Sequence, residues 1–122
     1  MATYFRLSDN ARDVRLFVQS PRLALTKGYR DAVRRILVST LGRFASRIRA
    51  IQVWVEDVNG PPGGIDIRCR IGIDLRPRGR ISASAMAADE FSATAKAAVR
   101  TRELVDRRVK RTRDLRRQVV RA

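Results

Sequence analysis

The stretch Ile65-Asp66-Ile67-Arg68-Cys69-Arg70-Ile71-Gly72-Ile73-Asp74-Leu75 alternates without a break, apolar at every odd position and charged or small at every even one. A period of two is the pitch of a strand with one face in a core and the other in water. Upstream, Asn59-Gly60-Pro61-Pro62-Gly63-Gly64 is a loop by composition. Before it, residues 48–58 read as a partner strand, with Ile51, Val53 and Val55 on one face and Gln52, Trp54 and Glu56 on the other. The two runs form a hairpin. Downstream, Arg76-Pro77-Arg78-Gly79-Arg80 is a tight basic turn, and Ile81, Ala83 and Ala85 alternate with Ser82 and Ser84 in a further strand.

Further out, Val14, Leu16 and Val18 alternate with Arg15, Phe17 and Gln19 in a first strand, which Ser20-Pro21 stops. Thr26 is an N-cap for a helix ending near Phe44. Its apolar stripe is Tyr29, Val33, Ile36, Leu37, Leu41 and Phe44, with Arg30, Arg34 and Arg35 off the stripe. Asp89 caps a second helix that no proline or glycine interrupts, with Phe91, Ala95, Ala98, Val105 and Val109 expected on its buried side. The expected fold is α+β, in the order β-α-β-β-β-α: a four-stranded mixed sheet with two helices packed on one face. A right-handed crossover makes the first two strands parallel neighbours, and the rest follow as an antiparallel meander. Residues 1–13 are expected as a flexible leader and 14–122 as a single domain.

Composition limits what such a domain does. The 122 residues carry 27 Lys and Arg against 12 Asp and Glu, a formal charge of +15. A compact body with that much like charge repels itself, which points to a polyanionic partner. Only Lys27, Lys96 and Lys110 are lysines; the other cations are arginine, whose planar fork suits phosphates. The chain has no histidine, so the commonest general base and metal ligand is missing. The one cysteine, Cys69, alternates in phase with isoleucines and reads as core. Glu56, Asp57, Asp66 and Asp74 do not make a catalytic or metal set, since most occupy ordinary surface positions on strands. The glycines of the 59–64 loop lack the following lysine of a phosphate-binding loop. Neither an enzyme, nor a cofactor, nor a small-molecule substrate is indicated. No segment approaches the roughly 18 apolar residues of a membrane span, so the expected setting is cytoplasmic.

The charge is concentrated. From Lys96 onward there are 11 basic and 3 acidic residues, a surplus of 8 out of 15. Arg100, Arg107 and Arg111 stack along one side of the second helix. Arg102, Arg108, Lys110, Arg113, Arg116 and Arg117 flank that row. A helix of about 30 residues spans roughly 45 Å, and a strand of eight residues about 27 Å. The last turns, from about Arg111, should therefore overhang the sheet. Such a row binds nucleic-acid phosphates, though phosphates alone carry no sequence information. Trp54, on the wet face of its strand, either stacks on an unpaired base or packs beside Phe17.

Several strings, taken in order, resemble the ribosome hibernation-promoting factors and ribosome-associated translation inhibitors. Ile81-Ser82-Ala83-Ser84-Ala85, followed by Asp89 and Phe91, is similar to that family's strand and the opening of its long helix. Lys110-Arg111-Thr112-Arg113-Asp114-Leu115 is similar to its basic tail. Leu25-Thr26 through Tyr29 to Phe44 resembles its first helix, and Val53-Trp54-Val55 its V-Y-V strand. The similarity is to a short or divergent type, with the leader as an addition. It implies binding to rRNA in the decoding groove of the small ribosomal subunit, and inhibition of translation by blocking the mRNA and tRNA sites in hibernation or stress. It also implies rRNA contacts from Arg107, Arg108, Lys110, Arg111 and Arg113, with Arg30 and Arg34 near basic family positions. With Arg100 and Arg117 from the helix row, these are the candidate RNA-binding residues. The alternatives are a general RNA- or DNA-binding module and a protein-interaction regulator of transcription.

Overall fold

The computed structural model describes residues 2–9, 11–21, 23–58 and 66–121. The strands are β1 (Ala2–Phe5), β2 (Val14–Gln19), β3 (Ile48–Asp57), β4 (Ile67–Leu75) and β5 (Arg80–Ala87). The helices are α1 (Lys27–Leu41), continued by a 3-10 turn (Gly42–Arg47), and α2 (Glu90–Arg121). The fold is α+β, and the strands form one mixed sheet in the order β1-β2-β3-β4-β5. β2 and β3 run parallel across the α1 crossover; every other neighbouring pair is antiparallel.

The alternation in β4 becomes a two-sided strand. Ile67, Cys69, Ile71, Ile73 and Leu75 are all buried, at the centre of a core shared with Ile51, Val53 and Val55. The 59–64 loop and Ile65 lie outside the described residues. Burial pushes the Cys69 thiol up to about 11. A raised thiol pKa keeps the folded state protonated where the unfolded chain has already ionised. Stability should therefore fall as pH rises from about 9 towards 11, which urea melts across that window would detect.

The sheet has five strands where four were expected, and the extra one comes from the leader. Ala2–Phe5 pairs antiparallel with β2 along Thr3↔Leu16 and Phe5↔Val14. Phe5 packs partly against the core, and Leu7 is 2% exposed. Thr3, Phe5 and Leu7 are a period-two series, too short to stand out from sequence. Leu7 explains Gly42: a Cβ there would lie 3.0 Å from the Leu7 carbonyl oxygen.

Thr26 caps α1, its hydroxyl accepting from the Tyr29 amide at 3.0 Å. Thr26→Ala should cost about 1 kcal/mol in a denaturant melt. Tyr29, Val33, Leu37 and Leu41 are buried as expected, and Ile36 is half-buried. The α-helix ends at Leu41, and Phe44 is buried from the 3-10 turn.

The inner side of α2 differs from expectation. Ala93, Thr94, Ala97, Ala98, Thr101 and Val105 are buried. Ala95 is exposed, Phe91 is 42% exposed, and Val109 is partly buried. The two threonines are what pattern reading misses. Their hydroxyls donate back to the carbonyls of Glu90 and Ala97, both at 2.7 Å, so they enter the core without an unpaired polar group. Thr94 also bonds the Tyr29 hydroxyl at 2.8 Å, and the Tyr29 ring meets Phe91 edge-on at 5.6 Å. These contacts seat α2 beside α1 on one face of the sheet, and no described helix covers the other face.

Candidate nucleic-acid interface

Asp89 starts α2, its carboxylate accepting from the Ser92 amide at 2.8 Å and the Ser92 hydroxyl at 3.0 Å. Those bonds lower its pKa. The helix runs 32 residues, about 48 Å at 1.5 Å each. Val105 is its last buried side chain among the described ones, and Val109 and Thr112 are half-buried. Every side chain from 113 to 119 is exposed, with Leu115 at 53% and Val119 at 76%. The last turns of the helix therefore bury no side chain among the described residues.

Arg100 lies at the β5 edge and donates to the Ser84 carbonyl at 2.6 Å, covering a backbone acceptor on an edge strand. Arg107 and Arg111, seven and eleven residues on, share that side by helical spacing. Both are exposed and in no ion pair among the described residues. The same holds for Arg108, Arg113 and Arg117. Lys110 is the exception on this helix. It sits 3.0 Å from Asp106, which also meets Arg43 at 3.4 Å. The Lys110 hydrogen bond leads the causes that lower the Asp106 pKa.

Arg30 and Arg34 are not brought to this surface. They line a small groove with Thr3, Leu16 and Val18 at the β1–β2 side of the sheet, whereas α2 lies by β5. Arg34 is 3.7 Å from Asp31.

A second cluster was not anticipated. Where α2 passes the β4–β5 turn, Arg108 and Arg116 converge with Arg76 and Arg78 of the turn and Arg47 of the 3-10 turn. They line a cleft of about 340 Å³ that contains no carboxylate. The turn is fixed by a Leu75 amide to Gly79 carbonyl bond of 2.8 Å, and Arg76 is tied to the Ile48 carbonyl at 3.3 Å. Gly79 has φ +107°, and a Cβ there would stand 2.7 Å from an Arg108 guanidinium nitrogen. Gly79→Ala should therefore strain the turn and displace Arg108, at a cost of about 1–3 kcal/mol readable in a urea melt. Arithmetic on the sequence gives a signal for this cluster. β5 runs about 27 Å outward, and some 18 helical residues return the same distance, which sets residue 108 level with the turn.

Five guanidinium groups without a carboxylate repel one another, and an anion among them reverses that cost. Forked donors from three segments suit phosphate oxygens in bidentate geometry. Among the described residues, no group of three or more His, Cys, Asp or Glu is placed to hold a metal ion, and no helix is long and apolar enough to cross a membrane.

No protein-family model matches the sequence, and no curated protein matches it. Solved structures do match in fold. The N-terminal domain of Protein Y from Thermus thermophilus aligns at TM-score 0.62 and 21% identity, covering 77% of this chain and 96% of that one. A ribosomal subunit interface protein from Coxiella burnetii aligns at TM-score 0.65 and 11% identity, covering 78% of this chain and 97% of that one. The two-helix, mixed-sheet architecture of this chain is the fold of those two proteins.

Proposed function

We propose that this protein binds the small ribosomal subunit through rRNA, lying in the decoding groove, and inhibits translation by occupying the mRNA and tRNA sites. The observation that carries the reading is the cationic edge of α2, with its carboxylate-free arginine cleft at the β4–β5 turn. A folded RNA offers phosphates at several depths, which a row and a cleft together can meet. The fold neighbour described as a ribosomal subunit interface protein supports the ribosome as the partner. Occupancy needs no chemistry, so no cofactor, metal or small-molecule substrate enters, and the protein works in the cytoplasm beside ribosomes during stress or hibernation.

Co-sedimentation with purified ribosomal subunits at graded salt tests this. The protein should travel with the small subunit at low salt, and its affinity should fall roughly a thousandfold between about 50 and 200 mM salt if six or more phosphates are contacted. Association with free RNA alone would favour a general RNA-binding module. Salt-tolerant binding to an acidic protein would favour a transcription regulator. Arg78→Glu with Arg116→Glu should weaken small-subunit binding at least about tenfold by reversing two walls of the cleft.

A further inference from the structure

The uncovered face of the sheet carries a feature that the helix row does not use. Strand register places two cross-strand rows side by side there: Phe17, Gln52, Gly72 and Ser82 in one, Gln19, Trp54, Arg70 and Ser84 in the other. Gly72 contributes no side chain, and the rows enclose an open hollow of about 350 Å³ between Phe17, Trp54, Arg70 and Arg80. Trp54 sits mid-sheet on β3 yet is 40% exposed, with no aromatic or cation–π partner among the described residues. Leaving a large indole face in water on a central strand forgoes burial that a neighbour could have supplied.

The polar groups around the hollow are equally specific. Arg70 is exposed and in no ion pair among the described residues. The flanking carboxylates are already matched: Asp74 by Arg80 at 2.9 Å and Glu56 by Arg68 at 4.0 Å. Gln52 is held by its Nε2, which donates to Asp74 at 3.1 Å, while its Oε1 is buried without a hydrogen-bond donor. That oxygen lies 3.0 Å from where a Gly72 Cβ would stand, an Arg80 guanidinium nitrogen is 2.8 Å from the same point, and all three residues line the hollow. A ligand N–H that shifts Arg80 slightly would give the oxygen its donor.

We propose that this hollow binds an unpaired nucleotide of single-stranded RNA, its base stacked on Trp54 and its phosphate on Arg70. A π face beside a guanidinium and an orphaned amide acceptor is the set of groups that recognises a splayed-out base. Duplex RNA, with its bases stacked inside, cannot use it. A second copy of the chain is the poorer occupant, since it brings a net charge of +15 to a face that already presents Arg70. The site lies on the opposite side of the sheet from the α2 row and stands or falls separately from it.

Trp54 is the only tryptophan, so its emission reports on this site directly. The full chain is titrated with short oligoadenylate and with a duplex RNA of equal length, binding being followed in parallel by anisotropy of a labelled strand. Saturation with the oligonucleotide should quench emission by about half or more, and the duplex should leave it nearly unchanged. Trp54→Leu should lower oligonucleotide affinity roughly five- to a hundredfold, Trp54→Phe should keep most of it, and neither should alter duplex binding more than about twofold. With Arg107→Glu and Arg111→Glu combined, quenching should persist at higher oligonucleotide concentration, even if small-subunit binding proves unrelated to α2. Unchanged emission at saturating oligonucleotide, wild-type affinity in Trp54→Leu, or emission that shifts with protein concentration alone would each overturn the proposal.

Discussion

The double variant Arg107→Glu, Arg111→Glu should lose small-subunit binding by roughly 2–4 kcal/mol, about 30- to 1,000-fold, while melting like the parent protein. Both side chains are exposed and make no ion pair among the described residues, so the fold does not need them. Each reversal removes an attraction to phosphate and puts a repulsion in its place. The loss should shrink as salt rises, because screening weakens both contributions. Lys110→Glu is a useful contrast. Lys110 is already engaged by Asp106 at 3.0 Å, so reversal there also sets two carboxylates together and should disturb the helix itself. An equal binding loss at low and high salt in the double variant would mean the pair acts through something other than phosphates.

Ile71→Asp should leave the chain largely unfolded. Ile71 is fully buried at the middle of β4, paired with Val53 on one side and Ala83 on the other. A carboxylate there has no cation within the core, and burying it unpaired costs at least about 4 kcal/mol. Total stability for a domain of this size is on the order of 5–15 kcal/mol, so most of the margin disappears. Far-UV circular dichroism and a urea melt would show it. The neighbouring Arg70→Asp is the control. It carries the same new charge one residue away but on the uncovered face, and it should melt within about 1 kcal/mol of the parent. Unfolding by both variants would mean the two faces of β4 are not distinct environments.

The contrast between those neighbours explains why so much of the fold was legible. In β4, five apolar side chains at alternate positions leave one choice of inner face, and register follows from it. The parallel β2–β3 pair followed from crossover handedness, and the Thr26 cap from a hydroxyl placed before an apolar stripe. Pattern failed where the local signal is ambiguous. Thr94 and Thr101 look like surface residues because their polarity is cancelled only inside the helix, by bonds to carbonyls one turn back. Phe91 looks like core yet is used edge-on against Tyr29 at the rim. The leader strand was missed because Thr3, Phe5 and Leu7 are too few to establish a period, although Ala2–Phe5 adds an edge to the sheet.

The candidate cationic surface was legible along one helix and illegible across segments. Arg100, Arg107 and Arg111 follow from spacing alone. Arg47, Arg76 and Arg78 join Arg108 and Arg116 only because the chain reverses at Gly79 and α2 returns over that turn. Conversely, resemblance groups Arg30 and Arg34 with α2, and the fold sets them by the β1–β2 edge, across the same sheet from β5.

A density map of the protein bound to the small ribosomal subunit is the most direct test of the central claim. Arg107 and Arg111 should face rRNA in the decoding groove, with a phosphate inside the cleft formed by Arg47, Arg76, Arg78, Arg108 and Arg116. A map with α2 turned to solvent and that cleft empty would contradict it.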